Sequence, residues 1–320
     1  MRFLKLIVVA MAAATTLPAF GEDYPSRPIR IIVSTSAGGI TDLAARIVGK
    51  LITEKTGQTV IIDNRAGGGG NIAMEAVARS APDGYTFGVA NTGNIVINPF
   101  LYKHMSYNPL TELTPVGSVG TVPLSMVING SLPVHSLKEF VEWAKARPGK
   151  VNYGSAGVGT TPHLAADAFN RRAKLDMVHV PYRGSTPATM AVLTGEVPMT
   201  FVSIGQHKQL VAEGKLRVLG VANEKRVPYL ADVPTFEEQG YPGFFAGTWF
   251  AVFAPSGTPH DIVDKINGYV RDLPNEPATR KVLDAAFLDP MPMTASQFAA
   301  QVKKDAAHWQ QIVRDSGVQQ

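Results

Sequence analysis

Two short stretches hold residue types at spacings that suit the capture of a small anion. Ala37-Gly38-Gly39 leads into Ile40, Thr41 and Asp42, and Ser155-Ala156-Gly157-Val158-Gly159 leads into Thr160, Thr161 and His163. Each follows a β-type run (residues 29–34 and 151–153) and opens a helical pattern. The first turn of a helix leaves backbone N–H groups unpaired and carries partial positive charge, which favours an anion. Glycine lets a ligand come close to the backbone. In the first stretch Thr41 is expected to cap the helix. Asp42 complements the helix's positive end and tethers the loop rather than touching an anion. In the second stretch Gly157 and Gly159 free the backbone, Thr160 and Thr161 offer hydroxyls, and Pro162 suits the first helical position. His163 falls in the first helical turn, where local capping or packing competes with ligand contact. Either turn alone is an ordinary strand-to-helix connection. Two of them in one chain point to a receptor that grips a small carboxylate between two lobes.

Other chemistries fail on their own residues. A nucleophile elbow at Ser155 needs glycine two residues earlier, where Tyr153 stands. No glycine turn supplies the lysine of a P-loop. Gly68-Gly69-Gly70-Asn71-Ile72-Ala73 fits G-x-G-x-x-A, but no acidic ribose partner follows at a convincing strand end, so tight helix–sheet packing is the favoured role. The seven histidines form no i,i+4 pair, so neither a metal site nor a cofactor is expected. No nucleophile–base constellation supports an enzyme.

The elements that position the two turns alternate strand and helix, which implies parallel sheets with helices on their faces. Residues 29–33 form a β-branched run, and Leu43, Ile47, Val48, Leu51 and Ile52 repeat at helical spacing. Strands are expected at 59–63 and 85–90, with a helix over 72–79 between them. Residues 116–129 read as an extended crossing between lobes. Ser136-Leu137-Lys138-Glu139 is a capping box. The design then restarts, with strands at 178–180, 197–202 and 216–222, a second crossing at 244–254, and helices over 259–271, 277–286 and 294–316. Asn91, Thr92 and Asn94 follow the third strand and can line the cleft, because ligands in open α/β sheets lie beyond the carboxyl ends of strands. Tyr182, after Val180-Pro181, can do so from the second lobe. Ser203 is a weaker candidate on the same logic, and Trp249 reads as hinge core.

The amino terminus reads as a secretory signal. Arg2 and Lys5 precede an apolar run, and Ala19-Phe20-Gly21 places cleavage after Gly21. The run is too short for the ~20 residues of a membrane span. The chain of 320 residues has no cysteine, so it forms no disulfide and must rely on its core. Its formal charge of +4 falls to +2 without Arg2 and Lys5, and the charge is evenly spread, unlike a nucleic-acid binder.

Taken in order, the motifs resemble the solute receptors of tripartite tricarboxylate transporters, the Bug family. The resemblance rests on Tyr24-Pro25-Ser26-Arg27-Pro28, Ala37-Gly38-Gly39 with Thr41-Asp42, Asn64-Arg65, and Pro82-Asp83-Gly84-Tyr85. It continues through the Ser155–Thr160 stretch with His163, Val180-Pro181-Tyr182-Arg183-Gly184, Asp232-Val233-Pro234-Thr235, and Ala254-Pro255-Ser256-Gly257. It implies an α/β, type II-like periplasmic binding fold of two lobes. Each lobe would be a mixed, mostly parallel sheet flanked by helices, with the ligand cleft between them. Lobe 1 is expected over 22–125 and 247–320, and lobe 2 over 126–246. The resemblance further implies a monomeric periplasmic receptor that delivers a carboxylate to a permease of one large and one small membrane subunit. The alternative is a receptor that presents its loaded form to a signalling partner. Ile40 stands where the family usually has a small or polar residue, so the ligand is expected to be less polar than citrate, an aromatic or alkyl carboxylate. Pro198 and the Gly70-Asn71 neighbourhood also depart from the family pattern.

Overall fold

The computed structural model describes residues 24–319; the signal expected over residues 1–21 lies outside them. Two five-stranded sheets are built to one plan. The first contains β1 (Ile29–Val33), β2 (Val60–Asn64), β3 (Thr86–Asn91), β4 (Leu113–Pro123) and β10 (Gly247–Pro255), in the order β2-β1-β3-β10-β4. The second contains β5 (Ser125–Asn129), β6 (Val151–Ser155), β7 (Met177–Pro181), β8 (Met199–Val202) and β9 (Leu216–Val221), in the order β7-β6-β8-β5-β9. In each sheet the first three strands of the unit run parallel, and the fourth position is an antiparallel strand from the far side of a crossing. The repeated strand–turn–helix design is thus a repeated topology.

The helices follow the sequence periods. They are α1 (Ile40–Thr56), α2 (Asn71–Ala78), α3 (Leu137–Lys145), α4 (Thr161–Arg172), α5 (Ser185–Thr194), α6 (His260–Asp272), α7 (Pro277–Ala285) and α8 (Ala295–Ser316), with short helical turns between some of them. Among the described residues no helix is long and apolar enough to cross a membrane. Ile29, Ile31 and Val33 bury one face of β1 against Ala44, Val48, Leu51 and Ile52 of α1. Ile32, on the opposite face, joins Met74 and Val77 of α2 in a larger core that runs through Trp249 and Phe298 to Phe140, Phe169 and Phe201 of the second lobe. Burying each such side chain is worth about 1.5–3 kcal/mol, so the lobes share part of their core.

Three residues between the sheets bond to one another. Leu124 N–H donates to Ala246 O at 2.9 Å, Ala246 N–H to Ala222 O at 3.0 Å, and Ala222 N–H to Leu124 O at 2.8 Å. The crossing expected over 116–129 runs through β4 and β5, with Leu124 between them. The second crossing, expected over 244–254, likewise runs into a strand, β10 (Gly247–Pro255), which pairs with β4. The expected cap at Thr41 is displaced. Gly39 is the N-cap, its carbonyl accepting Leu43 N–H at 2.9 Å, and Thr41 is buried inside the first turn. The half-made box at α3 also differs. Ser136 Oγ accepts Glu139 N–H, but the Glu139 carboxylate reaches past Ser136 to His135 N–H.

Candidate functional site

The first glycine turn is held from below by Asp42, which is 3% exposed. Its Oδ2 accepts Gly38 N–H at 2.9 Å and Arg46 Nε at 2.9 Å, and its Oδ1 accepts Asn64 Nδ2 at 3.0 Å. Burial opposes the charge on Asp42, but these hydrogen bonds outweigh it and hold the carboxyl below the ordinary range. Asp42 is therefore a tether. The N-cap Gly39 carries no side-chain cap, so the N–H groups of the first turn of α1 stay open to an outside acceptor.

The second turn is held by a stack of rings. His163 Nδ1 accepts Gly159 N–H at 3.0 Å. His179 Nε2 lies 2.6 Å from Ser155 Oγ, which accepts Gly157 N–H at 3.2 Å. The two imidazoles stack with centroids 3.8 Å apart, and Tyr153 stacks on His179 at 5.1 Å. Burial lowers His163 to about 4, and burial together with the neighbouring His163 lowers His179 to about 4 as well. Both imidazoles are thus neutral at neutral pH, and His163 carries its proton on Nε2, since Nδ1 is an acceptor.

Two cavities separate the lobes. A cleft of about 530 Å³ is lined by residues 34–36 of the first turn, by Gly159, Thr160, Thr161 and Pro162 of the second, and by Asn91, Asn94, Asn98 and Tyr102. None of its lining residues carries a formal charge. Thr35 Oγ1, on this wall, is buried and has no hydrogen-bond partner among the described residues. A neighbouring cavity of about 360 Å³ is lined by Gly38, Gly39, Ile40, Asp42, Leu43 and Arg46, by Ser203 and Gly205 of the second lobe, and by Ala285, Ala286 and Phe287. The first turn therefore faces two cavities, its upstream half the uncharged polar cleft and its downstream half a more apolar cavity that also holds the Asp42–Arg46 pair.

The sequence-derived residues divide accordingly. Asn91, Gly159, Thr160 and Thr161 reach the polar cleft, and Gly38, Gly39, Ile40, Asp42 and Ser203 reach the apolar cavity. Ala37 is exposed on the turn and lines neither. The others are engaged within the fold. Thr41 is buried in α1, and Thr92, 1% exposed, accepts Trp249 N–H. Ser155 is fully buried under His179, and His163 is committed to Gly159. Gly157 N–H is taken by Ser155. The Tyr182 hydroxyl donates to Glu196 of its own lobe at 2.7 Å, its ring lies on Gly154 and its carbonyl lies near Gly157. Tyr182 thus lines neither cavity.

The residue types also hid some of the lining. The run 67–70 has φ of +127°, +55°, +63° and +90°. At Gly70 a Cβ would come 2.3 Å from Asn94 Nδ2, so the glycine lets the turn close over the floor of the cleft. The run was visible in the sequence, whereas Asn98, Tyr102 and Phe287 had no local signal.

The model of the tripartite tricarboxylate transporter family receptors matches residues 44–318. The chain belongs to that family. It is similar to protein BugT of Bordetella pertussis, at 33% identity over 99% of this chain and 98% of the relative. Among solved structures it is similar to R. palustris Rpa4515 with adipate, at 33% identity and TM-score 0.79 over 93% and 99% of the two chains. It is also similar to MatC of Rhodopseudomonas palustris with bound malate, at 31% identity and TM-score 0.74 over 91% and 100%. The receptor is thus a periplasmic solute-binding protein of a tripartite tricarboxylate transporter, and its relatives are receptors rather than enzymes.

Proposed function

We propose that this receptor captures a small carboxylate between its lobes and delivers it, as a monomer, to a permease of one large and one small membrane subunit. The observation that carries this reading is the pair of uncapped helix starts, at Gly39 and Thr160, that open on the inter-lobe cavities. The relatives solved with adipate and malate support the same ligand class. Charge-assisted hydrogen bonds contribute ~1.5–3 kcal/mol each. Four or five, less the cost of association, suit an affinity of about 1 μM. The uncharged cleft favours neutral donors for the carboxylate. Ile40, Leu43 and Phe287 favour an aromatic or alkyl remainder over a citrate-like one. A first lobe of 22–125 with 247–320 and a second of 126–246, behind a signal over 1–21, follows the division of the sheets, except that Ser125 already pairs in the second sheet.

The test is a thermal-shift screen of residues 22–320, unfolded and refolded to strip carried-over ligand, against aliphatic and aromatic mono-, di- and tricarboxylates and amino acids. A ligand at a hundred times its Kd stabilises the fold by about 2.7 kcal/mol. A panel with no carboxylate hit would refute the ligand class. Ile40→Ser should shift preference toward polar acids, and an unchanged ranking would refute the apolar remainder.

A further inference from the structure

Phe287 holds a conformation that the ligand-facing turns do not require. It follows Ala286, the C-cap of α7, at the position where helices commonly end in the left-handed region and glycine is usual. Its φ is +53°. Its N–H donates to Asp284 O at 3.1 Å, and Leu288 N–H donates to Leu283 O at 3.0 Å. A bulky side chain in this region is strained, and the conformation persists only where the surroundings fix it.

Those surroundings belong to the other lobe. The Phe287 ring lies on Gly205, where a Cβ would come 2.4 Å from Cδ2 of the ring. It meets Tyr229 edge-on, with centroids 5.0 Å apart and planes at 83°. Lys208 Nζ stands 5.9 Å from its centroid. Gly205 has no left-handed φ that would require glycine, so it is the ring that excludes a side chain there. The segment is anchored on its own lobe as well. Thr121 N–H donates to Asp289 O at 2.8 Å, and Asp289 N–H to Thr121 O at 2.9 Å, just before the crossing at Leu124. The ring thus bridges the lobes from a fixed base, and it walls the apolar cavity beside Ile40.

We propose that Phe287 is an inter-lobe latch that sets how far this receptor stays closed before ligand arrives. A ligand that fills the apolar cavity packs against the latch and reinforces closure, because a ligand shifts an equilibrium only through its differential contacts with the two states. The latch rests on the two-lobed architecture and not on the ligand's identity, so its test needs no ligand. The chain has no cysteine, so spin labels at Glu54→Cys on α1 and Lys145→Cys on α3 report one inter-lobe distance by pulsed electron resonance. The sample is mature, ligand-stripped protein. Phe287→Asn keeps a residue that tolerates the left-handed cap and removes the ring. Gly205→Ala removes the seat from the opposite side. Each is expected to shift the distances to a longer, broader population, and the double variant should open no further than Phe287→Asn alone, because without the ring Gly205→Ala has no contact left to break. If one variant fails to fold by circular dichroism, the other carries the test. A wild-type distance distribution in a folded variant overturns the latch, as does additive opening in the double variant.

Discussion

Acid should loosen the second glycine turn through its two buried histidines. His163 holds Gly159 N–H through a neutral Nδ1, and burial puts its pKa at about 4, against 6.5 for an exposed imidazole. Between those values the unfolded chain binds a proton that the folded chain refuses. Stability therefore falls as the pH drops from 6.5 toward 4 and levels off below that range. At pH 4.5 the loss from His163 is about 2.5 kcal/mol. His179 adds to it in the same direction, since burial and the adjacent His163 lower it as well, while Asp167, paired with Arg171, partly offsets this. Protonation at Nδ1 also removes the acceptor for Gly159 N–H, so the turn itself should loosen. The assay is urea unfolding at pH 7.5, 6.5, 5.5 and 4.5, comparing wild type with a double variant, His163→Asn and His179→Gln. These amides keep acceptors near Nδ1 and Nε2 but do not titrate. His207 and His308 are lowered in both proteins and cancel in the comparison. The stability difference should shift by at least 2 kcal/mol in favour of the variant on acidification, as estimated from the same linkage. A difference that stays constant across this range would refute the assigned role of the stack.

Three further outcomes follow from single contacts. Asp42→Ala leaves Gly38 N–H without its acceptor and Asn64 with only Thr35 O and should lower stability by about 2 kcal/mol in urea unfolding. An Asp42→Asn variant should lose less. Gly39→Val adds a side chain where a Cβ meets only Ser36 O, at 4.0 Å. It should leave the melting temperature within a few degrees while weakening calorimetric binding of the best screened carboxylate at least ~10-fold, about 1.4 kcal/mol, and undiminished affinity would remove the first turn from the site. Gly70→Ala forces a Cβ against Asn94 at φ +90° and should cost more than about 2 kcal/mol, read as a lower melting temperature.

Local periodicity made most elements legible, because β-branched runs such as 29–33 and the apolar spacing from Leu43 to Ile52 are decided within a few residues. The tether at Asp42 was equally legible, being an i,i+4 contact with Gly38 and Arg46. The cap at Thr41 was misplaced for a physical reason. Asp42 already satisfies Gly38 N–H, so the first hydrogen-bonded turn begins at Gly39 and the Thr41 hydroxyl falls inside it. The side-chain directions of Thr92 and Tyr182 are not legible locally, because they depend on Trp249 and Glu196, 157 and 14 residues away in sequence. Nothing local marks Phe287 either: its partners Gly205 and Tyr229 belong to the other lobe, and Gly205 lacks the backbone signature by which a required glycine is usually recognised.

The two glycine turns look alike in sequence but differ in the backbone donors they leave free. In the second turn the N–H groups of Gly157 and Gly159 are taken by Ser155 and His163, and the Thr160 hydroxyl donates to Gly157 O at 2.7 Å. That turn spends its glycine donors internally, and what it leaves for a ligand is the uncapped start of α4. In the first turn the Asp42 carboxylate takes only Gly38 N–H of the backbone, and the uncapped start of α1 remains. The donor-rich wall is therefore on the first lobe and the preformed wall on the second. A carboxylate that docks first on α1 gains its remaining contacts only when the second lobe arrives. Such contacts favour the closed state over the open one, and only that kind of differential binding lets a solute change the shape the receptor presents to its permease.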